Sequence, residues 1–242
     1  LAEMAGGGTT VVKGMVKLGA VSEEDAPRDT PYPKLDPDYG GKELTADQAA
    51  GAAVLAEAVA SGAYGTTLLK GVTGSGKTEV YLEAVAACLR AGRQALVLLP
   101  EIALTGEFLD RIEARFGQRP AEWHSGVTQT ERRRCWRMVG QGDADVVVGA
   151  RSALFLPYRD LGLIVVDEEH DTSYKQEDGV LYNARDMAVL RAAGNGAQVV
   201  LASATPSLES WANVEAGKYR RLELKSRFGP AVMPKMSAID MR

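Results

Sequence analysis

Apolar residues along this chain fall into two alternating kinds of segment. Short runs that are almost wholly apolar occur at Thr67-Leu-Leu69, Ala95–Leu99, Val146–Val148, Leu163–Val166 and Gln198–Leu201. Between them lie amphipathic stretches at 78–91, 105–117, about 128–140 and 184–194. Strands covered by helices on both faces have this signature, because neither face needs a polar residue. The pattern predicts an α/β fold, an open and mostly parallel sheet of five or more strands flanked by helices. Upstream, Thr45-Ala-Asp-Gln48 is a capping box and predicts a helix to about Ser61, with Val54, Leu55, Ala58 and Val59 on its apolar side. Thr9–Gly19 places Val12, Met15 and Val16 at helical spacing, with Gly19 as the stop. One such short helix buries too little to stand alone. Residues 22–43 hold Pro27, Pro31, Pro33 and Pro37 among many acids and predict an irregular linker.

Composition narrows this picture only modestly. With 242 residues, 45% of them hydrophobic and 25% charged, the chain fits one large globular core plus a small attached piece. No window approaches the roughly 20 consecutive apolar residues that cross a membrane, so no membrane partner is expected. The start, Leu1-Ala-Glu-Met-Ala, lacks the basic and apolar regions of a signal peptide and an initiator Met, and reads as a cytoplasmic fragment of a longer chain. Cys88 and Cys135 are expected to be plain buried thiols, and with only His124 and His170 there is no zinc signature. The net charge of −4 argues mildly against a strong stand-alone nucleic-acid binder. Arg132-Arg-Arg134 and Arg137 nevertheless form a basic cluster, whose ordinary reading is a solvated helix face.

The chemistry is concentrated in three places. Gly71-Val72-Thr73-Gly74-Ser75-Gly76-Lys77-Thr78 is a complete P-loop pattern, preceded by a predicted strand and followed by a predicted helix. Its glycines let backbone amides turn toward phosphate oxygens, and the helix N-terminus adds partial positive charge. Lys77 is expected to reach the β and γ phosphates, and the Thr78 hydroxyl to ligand Mg²⁺. The second place is Asp167-Glu168-Glu169-His170, at the C-terminal end of a predicted strand. Asp167 is placed to hold Mg²⁺ and Glu168 to orient or deprotonate an attacking water. His170 is read as a relay to the third place, Ser203-Ala-Thr205, whose hydroxyls can bond His170 or Asp167.

Taken together these three sets resemble the superfamily 2 helicases and translocases. The strings at 71–81, 99–105, 124–126, 149–155, 167–176 and 182–186 are similar to those of the bacterial primosomal protein N′ family of replication-restart helicases. The resemblance covers about residues 9–242. It implies a RecA-like P-loop NTPase lobe over 44–228, the end of a winged-helix domain over 1–21, a linker over 22–43, and a crossing to a second lobe over 229–242. It implies ATP and Mg²⁺ as cofactors, and 3′-to-5′ unwinding of DNA at stalled forks during primosome assembly. Forked or single-stranded DNA, other primosome proteins and single-stranded DNA-binding protein are the implied partners. Gln48 matches an upstream glutamine similar to adenine-sensing ones, beside its capping role. Thr105, Gly126 and Arg151 match positions that line a single-strand path. Tyr174, Lys175 and Tyr182 match an aromatic-rich loop, where the rings stack a base or simply pack the loop.

The family's second lobe, zinc-binding cysteine-rich module and DNA 3′-end domain have no match in these 242 residues. Zinc is therefore expected only in a full-length parent, and this fragment is expected to be nearly inactive alone. Two alternatives stay open: the lobe of another superfamily 2 translocase, or in isolation a nucleotide-dependent binding module without unwinding.

Overall fold

The computed structural model describes residues 9–22, 29–225 and 227. The expected crossing at 229–242 lies outside them. The described residues fall into two units, one up to Thr30 and one from Pro31 onward. In the first, helix α1 (Thr9–Lys17) leaves Val11 and Met15 exposed. It is followed by Gly19 at φ +70°, near the predicted stop.

The second unit opens with a strap. Residues 31–43 contain no helix or strand, as the prolines predict, but they are not a free linker. Leu35 is buried in the core, and the Asp36 amide donates to the Phe116 carbonyl at 3.0 Å. Arg115 donates to the Pro37 carbonyl at 2.9 Å, and Arg90 pairs with Asp38 at 2.6 Å. One apolar side chain and a few backbone bonds suffice to hold an extended segment that proline keeps irregular.

Elements then alternate: α2 (Ala46–Ala60), β1 (Gly65–Gly71), α3 (Lys77–Arg90), β2 (Gln94–Leu98), α4 (Gly106–Phe116), β3 (Ala121–Trp123), α5 (Gln129–Gln141), β4 (Val146–Gly149) and β5 (Leu161–Asp167). A two-stranded antiparallel hairpin, β6 (Lys175–Gln176) and β7 (Tyr182–Asn183), precedes α6 (Ala184–Asn195), β8 (Gln198–Ser203), α7 (Leu208–Glu215) and β9 (Arg220–Leu224). Seven strands form one wholly parallel sheet in the order β3-β4-β2-β5-β8-β1-β9.

The sheet divides the core into two layers. Ala95, Val97 and Leu99 face α2, α3 and α4, while Leu96 and Leu98 face the opposite side, where α5 and α6 lie. Alternate residues of a strand point to opposite faces, so a strand without polar positions is what two buried faces require. α4 meets the sheet through Leu109, Ile112 and Phe116, at helical spacing. Cys88 and Cys135 are both free, and burial pushes each thiol up to about 12, as befits packing groups rather than nucleophiles.

Five elements have no counterpart in the sequence reading. β3 is three residues long, and β9 (Arg-Arg-Leu-Glu-Leu) is a charged edge strand with only Leu224 buried. α7 is only eight residues long, and each strand of the β6–β7 hairpin only two. Edge strands are kept short and charged to avoid pairing with other chains, so they lack an apolar signature.

Removing the strap's anchor is expected to be costly. Leu35→Ala should lower unfolding free energy by about 2 kcal/mol, the low end for a buried leucine, in urea denaturation of this chain. An unchanged midpoint would mean that the strap contributes nothing to the fold.

Candidate functional site

All sheet strands run the same way, so their C-terminal ends share one edge. There β1 enters the loop 71–76 and α3 begins at Lys77. Gly76 caps α3 at φ +83°, a left-handed value that costs a side chain dearly, and a Cβ there would collide with the Gln48 amide. At Gly71 a Cβ would strike Ser75 Oγ. The loop is thus wound tightly enough that only backbone fits at these points. The first-turn amides of α3 lack intrahelical acceptors and point outward.

Lys77 is nearly buried and donates to the Gly71 carbonyl at 2.9 Å. Its Nζ also lies 3.9 Å from Glu168 Oε1. Asp167 closes β5, and its Oδ2 accepts from Tyr81 Oη at 2.9 Å. Burial raises the Asp167 carboxyl above its usual range, with the Tyr81 hydrogen bond opposing. Glu168 sits at φ +46°, the positive-φ non-glycine residue among the described ones. Such a conformation costs roughly 1–3 kcal/mol and persists where the surroundings impose it. It brings the Glu168 carboxylate within 3.5 Å of His170 Nδ1, which lies 2.8 Å from Ser203 Oγ. The predicted contact between the acidic loop and the Ser203 loop is present in the geometry. Thr205 is exposed and joins through its amide, which donates to Ser203 Oγ at 3.0 Å.

A cavity of about 410 Å³ brings these residues together. It is lined by Gln48, Thr73, Gly74, Gly76, Lys77, Thr78, Asp167 and Glu168, and also by Lys42, Glu43, Leu44, Glu79 and Arg111, with Lys42 paired to Glu79. Its glycine cradle, lysine and helix N-terminus suit a polyphosphate. Among the described residues, no cluster of three or more His, Cys, Asp or Glu could hold a metal alone. A hydroxyl at Thr78 and a carboxylate at Asp167 suit Mg²⁺, which keeps waters and shares phosphate oxygens. Val72 is exposed beside the cavity and Ser75 is buried beneath the loop. Gln48 has both ends committed: its Oε1 accepts from the Thr45 amide at 2.9 Å, and its Nε2 donates to the Ser75 carbonyl at 2.9 Å. The capping box therefore also braces the phosphate loop.

The other matched residues lie on the same edge but not in the cavity. Thr105 caps α4 without a side-chain bond and is exposed. Gly126 is exposed, and its amide donates to His124 Nδ1 at 3.2 Å. Arg151 donates to the Ser173 and Lys175 carbonyls at 3.0 and 3.1 Å, fastening the loop after β5. Lys175 is exposed and pairs with Glu177, while the half-buried Tyr182 ring meets Phe155 edge-on at 5.2 Å. Tyr174 does not stack at the surface. It is 1% exposed, and its hydroxyl donates to the Leu98 carbonyl at 3.0 Å and the Asp167 carbonyl at 2.6 Å. An aromatic at a strand end is drawn inward when its hydroxyl finds carbonyls there, and packing wins over stacking.

Sequence reasoning missed Tyr81 and Glu169. Tyr81 is four residues from Lys77, one helical turn along α3, which is the signal that places it beside Asp167. Glu169 has no exposed side-chain surface. It accepts from the Ser207 amide at 2.7 Å and from the Ser207 and Ser210 hydroxyls at 2.9 Å each, with Arg185 Nη1 at 3.4 Å. This carboxylate ties the acidic loop to the start of α7 and to α6. Glu169→Ala should cost about 3 kcal/mol, because it leaves the Ser207 amide and the Ser207 and Ser210 hydroxyls without their acceptor and takes one carboxylate from the buried Arg185, which keeps Asp186. Glu169→Gln should lose less. Equal urea midpoints for Glu169→Ala and the unaltered chain would remove the network from the stability of the site.

Comparison with known proteins places this geometry. The replication restart protein PriA of Rickettsia felis is 50% identical over 175 residues, which is 72% of this chain and 27% of that protein. The protein of the same name from Bacillus subtilis is 41% identical over 236 residues, 97% of this chain and 29% of that protein. The chain thus spans less than a third of the length of these curated relatives. Among solved structures, RecG bound to a three-way DNA junction matches with a TM-score of 0.60 at 23% identity, over 83% of this chain and 27% of that one, a likeness of fold. The family model described as DEAD/DEAH box helicase matches residues 49–214, which contain the phosphate loop, the acidic loop and the Ser203 loop. This chain belongs to the DEAD/DEAH box helicase family.

Proposed function

We propose that this chain is the ATP-binding lobe of a replication-restart DNA helicase that unwinds stalled forks 3′ to 5′. The observation that carries the reading is the meeting of Lys77, Thr78, Asp167 and Glu168 around one cavity at the strand ends. ATP with Mg²⁺ is the ligand that family membership implies, and the cavity's donors fit it. Lys77 exchanges the Gly71 carbonyl for β and γ phosphate oxygens. Thr78 and Asp167 hold Mg²⁺, which offsets charge on the phosphates when bound. Glu168 takes a proton from the attacking water or orients it. His170 and Ser203 report the state of that site to the loop at 203–205. Gln48 braces the phosphate loop while sensing the base.

DNA crosses the exposed strand-end ridge at Thr105, Gly126 and Arg151, with Lys175 and Tyr182 on the neighbouring hairpin. Residues 9–21 are the end of a winged-helix domain, and the 229–242 segment leads to a second lobe whose arginines complete the nucleotide site. Primosome proteins and single-stranded DNA-binding protein are the partners, in the cytoplasm, and zinc belongs to a separate cysteine-rich module of the parent. No described helix is long and apolar enough to cross a membrane.

Two substitutions test this. Lys77→Ala should weaken binding of a fluorescent ATP analogue to this chain roughly 10- to 100-fold, the worth of charge-assisted bonds to phosphate, with circular dichroism unchanged. Equal affinity would end the assignment of the cavity. In the full-length parent, Glu168→Gln should retain ATP binding and lose about 10²- to 10⁴-fold in fork-stimulated hydrolysis. Retained turnover would remove Glu168 as the residue that activates water.

A further inference from the structure

The outer end of the sheet carries a second feature that the nucleotide chemistry does not use. β3 is the edge strand, and it ends at Trp123. The chain then passes through 124–126 and re-enters as α5, capped by the Thr128 side chain. Cys135, Met138 and Val139 bury one side of α5. The opposite side presents Gln129, Arg132, Arg133, Trp136 and Arg137, spaced one and two helical turns apart along one stripe. With Trp123 these residues line a hollow of about 420 Å³. Its lining holds three guanidinium groups, two indoles and no carboxylate. That is unusual on a chain whose net charge is −4.

Two of these side chains, Trp136 and Arg133, take little part in the fold. Trp136 is 54% exposed, although an indole gains most by burial. Arg133 is exposed and makes no hydrogen bond or ion pair among the described residues. Arg132 lies 5.6 Å over the Trp123 ring and donates through Nη2 to the His124 carbonyl at 2.6 Å. Its Nε is buried without an acceptor among the described residues. The nearby acids are turned elsewhere, Glu131 toward Arg134 and Glu122 toward His124. The hollow also adjoins the strand-end ridge, because Trp123 Nε1 donates to Ser152 Oγ at 3.1 Å, next to Arg151.

We infer that this face of α5, with Trp123 and Trp136, is a binding platform for single-stranded nucleic acid, extending the ridge around the sheet edge. Guanidinium groups meet the backbone phosphates, and a base stacks on the exposed indole of Trp136. A polyanion with flat apolar faces answers both halves of the patch, the charge and the exposed ring. The inference rests on the nucleic-acid reading above, and the test separates the two.

The test is titration of this chain with a single-stranded oligothymidylate at low salt, followed by tryptophan emission and by anisotropy of a labelled strand. Binding should quench emission. Trp136→Ala should remove most of the quench and weaken binding about tenfold, and Trp136→Phe should restore affinity. Arg133→Ala should reduce the slope of log affinity against log salt by about 0.7, one phosphate contact on a single strand. Both side chains are exposed, so the fold should be unaffected, which circular dichroism checks. Unchanged affinity and slope in both variants would overturn the platform. If Arg151→Ala then weakens binding while Trp136→Ala does not, the ridge stands and the platform falls. If the unaltered chain does not bind the strand, both fall. Equally strong competition by polyglutamate would make the patch a site for acidic protein and overturn the inference.

Discussion

The rest of this structure depends on the burial of a parallel sheet on both faces. β2, β4 and β8 expose no side chain, and β5 is buried as far as Val166. The interior positions of such strands carry no polar side chain, because an unpaired polar group there would forfeit its hydration. Chemistry is pushed to the strand ends. Parallel connections then bring all ends of one sense to the same edge, so loops distant in sequence become neighbours. The phosphate loop after β1, the acidic loop after β5 and the Ser203 loop after β8 meet because β5, β8 and β1 are adjacent strands.

Adjacency alone does not make these loops one site. A small set of polar links does. Gln48 fastens α2 to the phosphate loop, Tyr81 fastens α3 to Asp167, and Tyr174 pins the chain after β5 to the ends of β2 and β5. Glu169 binds the same acidic loop to α6 and α7. Between these fixed points Glu168 is held at positive φ, facing Lys77 and His170. The residue with the strained backbone thus sits among hydrogen-bonded neighbours.

Legibility in the sequence followed burial. Ala95–Leu99 and Leu163–Val166 announced strands because nothing else explains so many apolar residues in a row, and the helices between them came within about two residues of their observed ends. β9 was invisible because its edge position favours charge over apolar side chains. The 31–43 strap looked like a linker because its prolines speak against helix and strand, while its attachment rests on Leu35 and on backbone bonds to distant residues. Tyr174 was left open between stacking and packing because a residue in a polar loop gives no sign of which way it turns. Its burial depends on two carbonyls, one of them 76 positions away.

By itself, then, the sequence determined the alternation of strands and helices and singled out the residues proposed as the reacting groups: Lys77, Thr78, Asp167 and Glu168. Those follow from local causes, namely side-chain periodicity, glycine freedom in a tight loop and the position of acids at a strand's end. Strand order was left to tertiary structure, and so was everything that depends on it. The pairing of Tyr81 with Asp167, the buried bonds of Glu169, the inward turn of Tyr174 and the tryptophan–arginine stripe on α5 are contacts between segments far apart in the chain or choices of helix face. A one-dimensional pattern records which residues prefer burial. Only the packed molecule decides which of them find a partner there.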